Sequence, residues 1–137
     1  MNRLFYMIIL VTCAVACTPK ENVDAVKDET MKLHDQVMAE HSKLIANQMK
    51  IDTVLQKLPP LDTLGERHAL QKLRADLVAA EESMNNWMHN FDSEYTNEVD
   101  WEVIHYYKQQ RDKIAKIEEL YRKEINRSDT YLLKFKK

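Results

Sequence analysis

The sequence predicts an all-α protein: an elongated antiparallel three-helix bundle with coiled-coil-like packing, preceded by a lipoprotein signal peptide. Three observations predict it. One Gly (Gly65) and three Pro stand among 137 residues, too few turn formers for many hairpins or tight loops. All three prolines (Pro19, Pro59, Pro60) lie in the first half, so beyond them nothing forbids helix on proline grounds. Apolar residues also recur at alternating steps of three and four through long stretches. The length suits one domain with a modest core. A formal net charge of −2 gives no strong field toward nucleic acid or acidic lipid.

The opening segment is of a different kind. Met1–Arg3 carries one positive charge, and Leu4 to Val15 is almost wholly apolar. That run is too short to cross a bilayer core, which takes roughly 20 residues, but it suits a secretory h-region. Ala14-Val15-Ala16 then supplies small residues at −1 and −3 before Cys17. The pattern resembles a bacterial lipobox, in which the cysteine is thioether-linked to diacylglycerol, N-acylated, and becomes the mature N-terminus. Ala14 stands where the commoner residue is Leu. The competing Cys13 has the bulkier Thr12 at −1 and fits less well. The expected organisation is a signal peptide over 1–16, a lipidated Cys17 with a short tether over 17–21, and a helical bundle over 22–137. With Cys17 acylated and Cys13 removed, no thiol is left for disulfide or metal chemistry. Several acyl chains on one residue hold far more firmly than a single myristoyl.

The first helix is expected over about 22–58. Its seam is Val23, Val26, Thr30, Leu33, Val37, Glu40, Leu44, Asn47, Ile51, Val54 and Leu58, mostly apolar and heptad-like. Pro59-Pro60 ends it, because the residue before a proline is pushed out of the α region. The second is expected over about 63–91, with Thr63 as N-cap and Thr63-Leu64-Gly65-Glu66 as a capping box. Its seam is Glu66, Leu70, Leu73, Leu77, Ala80, Met84, Trp87 and Phe91. The polar stretch "DSEYTNEVD" (Asp92 to Asp100) breaks the pattern and offers Thr96 and Asn97 as caps. The third is expected over about 98–126 on Val103, Tyr107, Gln110, Ile114, Ile117 and Tyr121, flanked by Ile125. Ser128-Asp129 reads as its stop. The basic tail TYLLKFKK either continues as helix or packs back; amphipathic and positive, it is also a candidate for local membrane contact.

Candidate chemistry is sparse. Glycine loops for phosphate, a nucleophile elbow and HExxH are all missing from the sequence. Glu81-Glu82 and Glu118-Glu119 read as solvated helix faces, and Tyr106, Tyr107 and Tyr121 as packing residues with hydroxyls toward water. One cluster stands out. Met31, His34, Met38, His41 and Ile45 form a second stripe beside the first seam, and the second helix adds Met84, Met88 and His89. Folding the hairpins sets Met31 opposite His89, His34 opposite the Met84–Met88 region, His105 opposite Met84, and Trp101 near Trp87. Thioether and imidazole ligands suit copper, above all Cu(I), and imidazoles suit other borderline metals such as nickel or zinc; a His–Met pair also suits haem. The plainer use of these residues is as gap fillers between helices.

"LHDQVMAEH" (Leu33–His41) and "MNNWMHNF" (Met84–Phe91), together with the lipobox, carry a resemblance. The chain resembles a group of small Bacteroidota lipoproteins often labelled "viral A-type inclusion protein", a label that reflects coiled-coil similarity. Its specific parts are His34-Asp35-x-Val37-Met38 and Trp87-Met88-x-x-Phe91. The resemblance implies no activity, and no functional residue is carried over from it. Lys20-Glu21 is similar to the charged signal that sends some Bacteroidota lipoproteins to the cell surface, and Thr18 is unlike an inner-membrane retention signal. The expected address is therefore the outer membrane, periplasmic or surface side open.

The expected function is that of a non-enzymatic, lipid-anchored envelope protein, a helical module that binds another envelope protein or itself, with no nucleic acid and no cofactor beyond the acyl groups on Cys17. The alternative is a periplasmic or surface metal-binding or stress-sensing protein using Met31, His34, Met38, Met84, Met88, His89 and His105.

Overall fold

Asn22 starts the first helix by a capping bond: its side-chain oxygen accepts from the Asp24 N–H at 3.0 Å. The computed structural model describes residues 22–59 and 64–135. Among these it has α1 (Val23–Lys57), α2 (Leu64–Asn90), α3 (Asp100–Leu132) and a closing 3₁₀ turn (Leu133–Phe135), with no strand. The signal peptide, Cys17, the Thr63 cap and Lys136-Lys137 lie outside the described residues. At 1.5 Å per residue the helices are about 52, 40 and 50 Å long.

The end of α1 follows the sequence expectation. Leu58 leaves the helical region (φ −70°, ψ 131°), as the residue before Pro59 should. Its carbonyl is then capped from across the turn, because Arg67 of α2 donates to Leu58 O at 2.9 Å and to Leu55 O at 3.3 Å.

Cross-links fix the topology. Gln48 of α1 donates to Glu81 of α2, Asp52 pairs with Arg74, and the His34 ring lies against Trp87, so α1 and α2 run antiparallel. Thr30 meets Tyr107 and Asn47 meets Ser128, so α1 and α3 run parallel. The order is up-down-up.

The seams form the core. Val37, Leu44 and Ile51 of α1 pack with Leu70, Leu77 and Met84 of α2 and with Ile114 and Ile125 of α3, all essentially without exposure. Each such side chain contributes about 1.5–3 kcal/mol by leaving water. A second, aromatic cluster closes the end where α1 starts. Tyr95 stacks on Tyr106 at 4.2 Å and Trp87 on Phe91 at 4.5 Å, beside buried Val26, Val103 and Tyr107.

Four expectations are corrected. Glu40 does not face the core; it is exposed, and the neighbouring His41 turns inward to Tyr121 Oη at 3.3 Å. Helix three starts at Asp100 with Val99 at the cap position, and the Asn97 side chain accepts from the Val99 N–H just ahead of it. Ser128-Asp129 does not end α3, which runs on to Leu132. Both residues instead accept from the buried Asn47 amide, each at 2.8 Å, while Ser128 Oγ donates back to Ile125 O. Finally, the hydroxyls of Tyr107 and Tyr121 do not reach water: Tyr107 donates to Ser93 O at 3.0 Å, and Tyr121 meets His41.

Candidate functional site

The α1–α2 face carries most of the Met/His set. In the antiparallel register His34 lies beside Trp87, with ring centroids 5.9 Å apart. This matches the expected level of Met84–Met88. Met31 falls one turn lower, beside the last turn of α2. His34 Nδ1 donates to Asp35 Oδ1 at 2.9 Å, which fixes the orientation of the ring. Met38 and Met88 are both about a third exposed, at 36% and 37%.

The rest of the set is dispersed. Met84 is fully buried and belongs to the core. His89 is exposed in the last turn of α2. His105 is exposed too and accepts from Gln109 at 2.9 Å. It does not stand opposite Met84. Tyr106 Oη accepts from the Asp92 N–H and Tyr107 donates to Ser93, so His105 is level with the end of α2, about two turns from Met84. The cause is the Asp92–Val99 connection, which is a structured loop and no tight turn: Asp92 accepts from the Glu94 N–H, and Asn97 bonds Glu102. For the same reason Trp101 does not approach Trp87. It stands 63% exposed, with His105 as its ring neighbour at 6.5 Å. Among the described residues no three His, Cys, Asp or Glu side chains converge as a metal site.

Polar groups between the helices are well placed. Glu124 is buried on α3 and held by Lys123 at 3.2 Å and by Arg127. Arg127 and Lys72 both reach Asp76 of α2 at 3.0 Å. Burial pushes the Asp76 carboxyl up, but the hydrogen bonds and charges of Lys72 and Arg127 outweigh it and hold it below the usual value. Asp129 is alike: burial raises it, while bonds from Asn47 and Lys43 and the charges of Lys43 and Lys50 bring it below. Burial, helped by the negative charge of Glu81, pushes the Tyr121 phenol up to about 12. Trp87 Nε1 is buried with no acceptor among the described residues.

Sequence reasoning passed over two features. Asn47–Ser128–Asp129 was invisible because its partners are some eighty positions apart. A large groove beside the C-terminal half of α1, lined by Met49, Lys50, Thr53 and Lys57 among others, was not anticipated from the sequence at all. The i, i+4, i+8 spacing of Met49, Thr53 and Lys57 was the available signal. No family model, no curated protein and no solved structure matches this chain.

Proposed function

We propose that the protein is a non-enzymatic, lipid-anchored module of the bacterial cell envelope, attached through acyl groups on Cys17 and engaging other proteins by its helical sides. The observation that carries this is the capped start of α1. Asn22 closes its N-cap bond within five residues of Cys17, so the rigid bundle begins where a short tether would end. Ala14-Val15-Ala16-Cys17, and Thr18 with Lys20-Glu21 behind it, favour outer-membrane delivery. The test is incorporation of radiolabelled palmitate with envelope fractionation. Label is expected in the wild type and absent in Cys17→Ser. Unlabelled protein in the soluble fraction, its first sixteen residues retained, would overturn the reading.

His34 favours a second reading, a copper-binding envelope protein. Its Nδ1–Asp35 bond orients the ring as ligand-supporting carboxylates do, and thioethers from Met38 and Met88 lie on the same α1–α2 face. A Cu(I) competition titration decides it. Affinity no tighter than free histidine, or unchanged in His34→Ala/Met38→Ala, removes it.

A further inference from the structure

A large concavity lies between the last four turns of α1 and the end of α3, at the opposite end of the bundle from Asn22. Its volume is about 950 Å³. The floor is apolar, made by Val54 and Leu58 on one side and by Leu132 and Phe135 on the other. Met49 overhangs it, 65% exposed. The rim is basic: Lys50 and Lys57 stand along α1, Lys134 on the facing wall, and no described lining residue is acidic. This is a local reversal, since the whole chain is net negative. Lys57 makes no ion pair among the described residues, Lys50 donates to the Asn47 amide oxygen, and Lys134 lies over the Tyr131 ring at 4.2 Å. None of the three is held by a direct salt bridge there.

We infer that this groove is a docking site for an acidic amphipathic helix of a partner protein, a reading that rests on the interaction-module function proposed above and gives it a partner class. Size supports it. From Ala46 to Leu58 the groove runs about 18 Å, room for roughly three turns. A helix of that length and about 10 Å across fills roughly 1,400 Å³, a volume of the same order as the groove's. Charge placement separates a helix from a lipid. Lys50 and Lys57 are about 10 Å apart along the axis, and Lys134 faces them. Carboxylates spaced along a helix meet all three, whereas a lipid brings its charge at one end. Apolar anchors at i, i+3/i+4 and i+7 would enter the floor, as in other helix-in-groove contacts. An exposed methionine on the wall adapts to anchors of different shape.

The test is fluorescence anisotropy of the purified full chain in detergent with a labelled 16-residue designed peptide, leucines at helical anchor spacing and glutamates on both flanks. Controls are the same peptide with lysine for glutamate, a scramble that destroys amphipathicity, and phosphatidylglycerol vesicles in a flotation assay. The acidic helix is expected to bind at least tenfold tighter than either control peptide, and more weakly as salt rises. Lys57→Glu/Lys134→Glu, with helicity verified by circular dichroism, is expected to lose at least tenfold and to gain affinity for the lysine peptide. Amide shifts on binding should concentrate at Met49, Val54 and Leu132. Equal binding of all peptides, no binding, an unaffected double variant, or binding to vesicles alone overturns the inference. The palmitate test is independent: an unlabelled chain that still selects the acidic helix refutes the anchor and leaves the groove standing.

Discussion

Asn47 is fully buried on α1, and its amide satisfies Ser128 and Asp129 of α3 together. Asn47→Ala removes the donor to the buried Ser128 hydroxyl and to the partly exposed Asp129 carboxylate, so a loss of about 1–3 kcal/mol is expected in urea unfolding. Asn47→Leu with Ser128→Ala should lose less than the two single changes predict, because the Asn47–Ser128 pair is then apolar on both sides while Asp129 keeps its pairing with Lys43. Titration follows the same residues. Asp76 and Asp129 have folded pKa values below their unfolded ones. Their contribution is present above about pH 4 and fades as pH falls through the folded values, so the urea midpoint should drop in acid. Asp129→Asn and Asp76→Asn should flatten that slope. Tyr121 has the opposite sign: raised to about 12, it favours the fold below about pH 10 and loses that contribution as pH climbs through 12. Tyr121→Phe should remove this alkaline limb, read by the urea midpoint between pH 9 and 12. Residue-level reading of the sequence went astray where two neighbours competed for one inward position. Between Val37 and Leu44 a step of three selects Glu40 and a step of four selects His41. His41 won because it has Tyr121 to bond, a fact that lives on another helix.

Helix identity was legible where signals were local. Pro59 set the end of α1, Asn22 its start, and the three-four spacing named every described buried position of α2 and those of α3 except Glu124, Ser128 and Leu132. Signals that need a partner were not legible. Ser128-Asp129 has the composition of a helix stop, yet α3 continues because Asn47 satisfies those side chains from outside. The continuation is structural: Leu132 is buried, and Phe135 packs against the main core. Leu132→Ala is therefore expected to cost about 2–5 kcal/mol, and truncation after Asn126 more, both measured by thermal or urea unfolding. A helix that truly ended near 126 would tolerate either change. The Met/His set split for a similar reason. Its α1–α2 part rested on a tight proline turn and came out at the expected level. Its α3 part rested on the Asp92–Val99 connection, whose length and internal bonds displaced His105 by about two turns.

As a whole molecule, the described bundle differs at its two ends. Aromatic rings fill the end where α1 begins, and the lysine-rimmed groove occupies the other. The two tryptophans sample this arrangement separately, Trp87 inside and Trp101 63% exposed on the surface. Trp101→Phe should leave blue-shifted emission resistant to acrylamide, and Trp87→Phe red-shifted emission that acrylamide quenches readily. Matching spectra from the two variants would contradict the arrangement of the bundle. The parallel course of α1 and α3 sets a length scale as well. Asn22 and Phe135 lie at opposite poles, about 50 Å apart along the axis. That span is close to the working range of resonance energy transfer, so a fluorophore appended at the Phe135 pole, paired with acceptor dyes in the bilayer, becomes an optical ruler that distinguishes, under the anchor proposed at Cys17, a bundle standing erect on the membrane from one lying flat.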